Sequence, residues 1–151
     1  MARLRFAYAS TAEIALTTAQ KTLVQITSPA NQRVAIRGWG IAFDGVSSTA
    51  GSVDVRLCIF SSSAGSYTGA TLVKDLRGTT EAIQSSGRFN NSSNEGSISD
   101  TLRSYEVNPM TGYERAFAQD EEIEIAGGER FGIIAIASSA VNCAVFVNAE
   151  E

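Results

Sequence analysis

Residues 123–138 read IEIAGGERFGIIAIAS, and the glycines at their centre decide between a nucleotide loop and a turn. A Walker loop needs G-x-x-x-x-G-K-[ST], but the lysine and the hydroxyl are both missing here. A dinucleotide fingerprint needs a helix whose N-terminus meets the pyrophosphate. The residues after Gly132 are Ile133, Ile134, Ala135, Ile136 and Ala137, a β-branched run that reads as a strand. Ile123 and Ile125 alternate with Glu122 and Glu124 ahead of the glycines, so that side reads as a strand too. Gly127 and Gly128 are therefore expected to turn the chain between two strands, as a hairpin.

The same period of two recurs along the chain. Residues 53–60, VDVRLCIF, put Val53, Val55, Leu57 and Ile59 on one face, and residues 141–148, VNCAVFVN, put Val141, Cys143, Val145 and Val147 together. Residues 33–43, RVAIRGWGIAF, hold Val34 and Ile36 opposite Trp39 and Ile41. Gly38 and Gly40 there predict a bulge or a bend where the buried face changes. Further strands are expected at 3–9, 21–27, 70–76, 103–107, 121–126 and 130–137. Residues 12–20, AEIALTTAQ, read either as a short helix or as a further extended piece. With no βαβ unit and no capped helical period, the fold class is all-β. A two-sheet antiparallel β-sandwich of jelly-roll type with about eight to nine strands is expected, as one domain over residues 1–151. An immunoglobulin-like sandwich ranks second, because Trp39 precedes both Cys58 and Cys143 instead of lying between them.

Composition narrows the chemistry. The chain has 151 residues, 44% hydrophobic and 19% charged, with net charge −4 and no histidine. Lacking His, it has no Ser-His-Asp triad and none of the usual zinc or copper ligand sets. Twelve basic residues against sixteen acidic ones, with no basic block, argue against nucleic acid as a partner. Ten of the twelve are Arg, the cation favoured at protein interfaces. Cys58 and Cys143 form no metal spacing and read as small core residues, with a single bridge left open. The first residues, MARLRFAYAS, lack the apolar core of a signal peptide, and no run of 18 apolar residues predicts a membrane span. Synthesis in the cytoplasm is the expectation.

Candidate functional residues follow from local chemistry. Asp120, Glu121, Glu122 and Glu124 form an acidic run, but neighbours on one strand point to opposite faces and do not converge as a glycosidase pair. No Ca²⁺ loop spacing occurs. No catalytic residue, metal site, cofactor or small-molecule substrate is expected. Trp39, Tyr67 and Tyr113 are candidates for a glycan-stacking platform, with Trp39 read primarily as core or interface. The N-terminal strand, with Arg3, Arg5, Phe6 and Tyr8, either pairs in its own sheet or serves as a contact arm (residues 1–9) on a neighbouring subunit. Residues 84–102, QSSGRFNNSSNEGSISDTL, read as a long surface loop in which Arg88, Phe89, Asn90 and Asn91 would anchor a partner.

Two segments carry a family resemblance. Residues 22–60 and 122–151 resemble the jelly-roll decoration, or cement, proteins of tailed-bacteriophage heads. The similar features are a T-S-P-A-N-Q-R-V turn, W-G-I-x-F-D-G, V-D-V-R-L, the G-G-E-R-F-G-I turn, and an Asn-containing last strand closing on Glu150 and Glu151. The resemblance implies a non-enzymatic virion protein, commonly a homotrimer, on the capsid exterior, where it binds the major capsid protein and reinforces the lattice. It transfers no binding residues. The alternative is a carbohydrate- or receptor-binding module such as a tail-fibre head.

Overall fold

The computed structural model describes residues 4–44, 51–63, 65–75 and 80–151. Its thirteen strands are β1 (Arg5–Ala9), β2 (Ile14–Leu16), β3 (Lys21–Thr27), β4 (Val34–Phe43), β5 (Val53–Phe60), β6 (Thr68–Ala70), β7 (Val73–Lys74), β8 (Ser86–Phe89), β9 (Ile98–Val107), β10 (Tyr113–Ala116), β11 (Ile123–Ile125), β12 (Arg130–Ile136) and β13 (Val141–Glu150). Every strand expected from the alternation is present, although 70–76 shrinks to the two residues of β7. The additions are β2, which settles residues 12–20 as extended chain, and β6, β8 and β10.

The strands form two antiparallel sheets. The first runs β10-β4-β13-β1-β7, with β11 continuing β10 along β4 and β2 continuing β1 along β13. The second runs β6-β8-β3-β12-β5-β9. Set aside the short additions and the order is that of a jelly roll: β1, β13, β4 and β10/β11 over β3, β12, β5 and β9. First and last strands are neighbours, and Leu4 and Glu151 exchange backbone hydrogen bonds of 2.9 and 3.0 Å.

Alternating residues from both sheets meet in one core. Phe6, Tyr8, Trp39, Ile41, Val145 and Val147 come from the first sheet, and Leu23, Ile26, Val55, Leu57, Phe131 and Ile133 from the second. The glycine-rich part of β4 does what its sequence suggests. The β4–β13 register slips between Ile36 and Gly38, leaving Arg37 as the extra residue. Ile36 and Trp39 can then both point inward. Cys58 and Cys143 are free and buried.

The opening stretch turns the chain, but not as a hairpin. Glu129 N–H donates to Ala126 C=O at 3.1 Å, and Gly128 sits at φ +83°, the position at which a type II turn takes glycine. The two flanking strands belong to different sheets, since β11 pairs with β4 and β12 pairs with β3 and β5. The turn is an arch across the sandwich. Period-two reading finds strands on each side of a turn but not the sheet each one joins. The Ser28 hydroxyl donates to Ala126 C=O at 2.5 Å, tying the arch to the β3–β4 connection.

Gly132 shows how closely the second sheet is packed. A Cβ there would lie 2.6 Å from the Phe60 ring and 2.8 Å from Val24 C=O. Gly132→Ala is expected to destabilise the fold by about 1–3 kcal/mol through overpacking, read as a lower urea midpoint. Burial raises the Cys143 thiol from an ordinary 9.0 to about 12. Its contribution is complete below pH 9. Between about 9 and 12 the unfolded chain loses a proton that the folded chain keeps, so stability falls as pH rises. Urea titrations from pH 7 to 10.5 should show that fall, with a shallower slope in Cys143→Ala.

Candidate functional site

A strand edge is the first surface to consider for contact, since its unpaired backbone groups template strand addition. Among the described residues the edges are poorly suited to it. The first sheet ends in β7, of two residues, and in β10 and β11, of four and three. The second ends in β6, of three residues, and in β9, of ten. Long as it is, β9 is broken by two register slips against β5, at Leu102 and Ser99. It also carries Asp100, Arg103 and Glu106. Bulges and charges are the usual defences of an exposed edge. Contact is left to the sheet faces and the loops that cover them.

Of the two readings of the N-terminal strand, the structure takes the one in which it pairs in its own sheet. β1 is paired on both sides, to β13 and β7. Phe6 and Tyr8 are buried, and Tyr8 packs on Phe89 across the sandwich at 5.7 Å. Their alternation puts them inward, so neither is available to a partner. Arg5 is exposed, with Nε 3.6 Å from the Glu150 carboxylate. Arg3 lies outside the described residues.

Residues 84–102 are also more structured than their composition suggests. Residues 86–89 form β8 beside β3, and 98–102 begin β9. Between them residues 90–97 make a strap over the outer face of the second sheet. Asn90, at φ +51°, and Asn91 donate their N–H groups to Leu23 and Thr22 carbonyls at 3.0 and 3.2 Å. The Glu95 carboxylate accepts from Thr22 N–H, and the Thr22 hydroxyl donates to Glu95 C=O at 2.9 Å. Ser92 N–H donates to Ser66 C=O at 2.8 Å, Gly65 N–H to Asn94 C=O at 2.6 Å, and Ser97 N–H to Ser62 Oγ at 2.8 Å. Beside the strap Cys58, Phe60 and Ile134 form a small apolar cluster outside the main core. The Ser92 hydroxyl donates to Ser66 C=O at 3.2 Å, Ser93 Oγ accepts from Ser66 N–H at 3.1 Å and Asn94 Oδ1 accepts from Gly96 N–H at 3.1 Å, so these three side chains are local backbone partners.

Of the four anchors expected in this segment, only Arg88 reaches outward as a strong contact residue. Phe89 is core, and Asn91 is buried with neither amide atom hydrogen-bonded among the described residues. The Arg88 guanidinium lies 4.1 Å from the centre of the exposed Tyr67 ring, a cation–π contact. Sequence reasoning singled out these two residues for separate roles, and the β6–β8 pairing brings them together.

The aromatic platform is not assembled. Trp39 is wholly buried, packed at 5.1 Å on Tyr105 and 5.5 Å on Tyr113. That trio closes the sandwich where β9 faces β10. Tyr67 adjoins β6, at the far end of the second sheet from β9. The three residues therefore share no face.

The outer face of the first sheet has no strap among the described residues. Its middle carries the exposed Ala9, Ala42, Ala116 and Ala144, with Glu114 as its charge. The Phe146 ring lies over Gly40, where a Cβ would come within 2.2 Å of it. A cleft of about 490 Å³ lies towards Gly38 and Asn148, where Arg5, Arg37, Asp75 and Arg115 also line it, and one of about 460 Å³ lies towards Ala42 and Ala144. At one end Arg37 sits 2.7 Å from Glu150 and 3.2 Å from Glu122. Glu151 accepts from Gln84 N–H at 2.7 Å and Ser85 N–H at 2.9 Å. Phe146 and Glu95 escaped sequence reasoning, since neither their alternation nor their neighbours distinguish them.

Comparison with family models, with curated proteins and with solved structures finds no match to this chain. The geometry therefore carries the functional reading.

Glu95→Ala is expected to release the strap and leave the sandwich folded. Hydrogen exchange should accelerate at 90–97 and at the Thr22 amide, with about 1–3 kcal/mol lost from global stability.

Proposed function

We propose that this chain is a non-enzymatic structural protein that binds the outside of a phage capsid and stabilises the coat lattice. The observation that carries the proposal is the Tyr67–Arg88 pair. A tyrosine and an arginine stacked at 4.1 Å are the residue types that dominate binding energy at interfaces. Arg88 sits on β8 and Tyr67 immediately precedes β6, which pairs with β8, and the residue before Tyr67, Ser66, is tied to the strap. Little ordering entropy would be lost on contact.

The resemblance to decoration proteins supports the same reading. Its two segments supply β3, β4, β5, β12 and β13, which form the centres of both sheets, and the end strand β11. The strap and the Tyr67–Arg88 pair lie in the intervening stretch, where a partner would be selected. The mechanism is mass action. A protein that binds the assembled lattice and not its free subunits stabilises it by about 2.7 kcal/mol per site at 100-fold excess over Kd. Repetition over the shell multiplies that effect. In this reading the partners are the major capsid protein and further copies of the chain, and the location is the virion exterior.

Mixing the purified protein with bare expanded shells tests the proposal. Co-sedimentation at micromolar concentration and a higher shell melting temperature are expected. Tyr67→Ala and Arg88→Ala should each weaken binding about tenfold or more. Absence of both binding and thermal stabilisation would refute the coat reading.

A further inference from the structure

The strap is bonded to the segment before β6 more than to the sheet beneath it. We propose that the strap is a two-position switch for the Tyr67–Arg88 surface. Closed, it holds Tyr67 against Arg88. Open, it releases Ser66 and Tyr67 and uncovers Cys58 while the sandwich stays folded. The switch rests on the coat reading only for the contact it serves, since the opening itself belongs to the free chain.

Fastening is confined to one place. Among the described residues, the strap's hydrogen bonds to the sheet all fall on Thr22 and Leu23 of β3. Their carbonyls accept from Asn91 and Asn90 N–H, and Thr22 gives its N–H and its hydroxyl to Glu95. The strap's bonds to other chain go to residues 61–66, which would travel with it. Both backbone groups of Ser66 belong to that set: its N–H donates to Ser93 Oγ at 3.1 Å and its C=O accepts from Ser92 N–H at 2.8 Å. Tyr67 follows directly and lies outside β6, so the strap fixes the chain that carries its ring to Arg88.

Closure also has local costs. Asn90 at φ +51° and Gly96 at φ +76° bracket the strap, placing a left-handed residue at each end where a hinge would bend. Asn91 is buried with both amide atoms unpartnered among the described residues. A hydrogen bond gains less, net, than a buried polar group left unmade loses, and water would satisfy this amide once the strap lifts. The bonds at Thr22 and Leu23 are therefore opposed by the orphaned amide in the same segment. The covered surface is apolar. Ile134 pairs with Thr22, which Glu95 caps, and Ser97 at the other end of the strap bonds to Ser61 and Ser62, just after Phe60. Cys58 shares a cluster with Ile134 and Phe60, alternates with the core residue Leu57 and is 0% exposed. The strap runs between Ile134 and Phe60 and so closes over it.

Maleimide labelling of the free chain, read by peptide mass, tests the opening without shells. Cys143 lies in the main core and reports global unfolding. Cys58 should react about tenfold faster than Cys143 or more, at a rate unchanged by dilute urea, because a local opening exposes little new surface. Hydrogen exchange should show the Thr22, Ser66, Asn91 and Ser92 amides opening together, ahead of those of β13. Asn91→Leu removes the orphaned amide and should slow Cys58 labelling about tenfold. Glu95→Gln weakens the latch and should speed it. Equal labelling of the two cysteines, with the same steep urea dependence, would overturn the switch. So would a Ser66 amide that exchanges independently of the strap, or an Asn91→Leu chain that labels no more slowly. Bare expanded shells form a separate arm. Binding should slow Cys58 labelling about tenfold by selecting the closed strap. Shells that bind and leave the rate unchanged would overturn the link to Tyr67. Shells that do not bind refute the coat reading, and the free chain alone then decides the opening.

Discussion

The pairing of β13 with both β1 and β4 is the constraint on which the rest of the structure depends. β13 runs ten residues through the middle of the first sheet. It sends Cys143, Val145, Val147 and Ala149 into the core and Phe146 and Asn148 outward. Arg5 pairs with Glu150, so contacts 145 residues apart in sequence close the sheet. Such long-range closure is slow and must be specified strongly, because a slip of one residue would exchange core and surface on every strand. The bulge at Arg37 provides that specification. It keeps Ile36 and Trp39 both inward and places the Arg37 guanidinium between Glu122 and Glu150.

Closure of the sandwich determines which surfaces remain for a partner. Short end strands and the slips in β9 make the edges poor templates, and burial of Phe6 and Tyr8 removes the N-terminal strand as an arm. The strap occupies part of one outer face, and Ser92 and Asn94 fix the backbone beside Tyr67. The other outer face carries exposed alanines beside Phe146 and two clefts, one of them lined by Arg5, Arg37, Asp75, Glu114 and Arg115. The two sheets thus present different chemistry: an aromatic–arginine pair on one and exposed alanines beside Phe146 on the other.

The fold was largely legible from the sequence, because period-two alternation is a direct consequence of strand geometry and recurs in β5 and β13, although not in the first half of β9. Val53, Val55 and Leu57 face inward as their spacing requires, and Gly38 and Gly40 do mark the bulge. Sheet membership was less legible. Ile123–Ile125 and Arg130–Ile136 flank a turn that looks like a hairpin, yet the partners that place them in different sheets are β4 on one side and β3 and β5 on the other. The candidate site was legible only in part. Arg88 and Tyr67 stand out by residue type, but their stacking depends on the β6–β8 pairing, between two short strands with little alternation. Phe89 and Asn91 look like contact residues because their neighbours are polar; those neighbours instead bond locally and carry both residues into the interior.

Hydrogen-exchange mapping of the chain, free and bound to bare expanded shells, tests the central claim most directly. If the coat is met through the Tyr67–Arg88 surface, added protection on binding will concentrate at residues 65–70 and 86–97, and the amides of β13 and β4 will be unchanged by the shell. Protection confined to the outer face of the first sheet, or no protection at 65–70 and 86–97, would contradict the account.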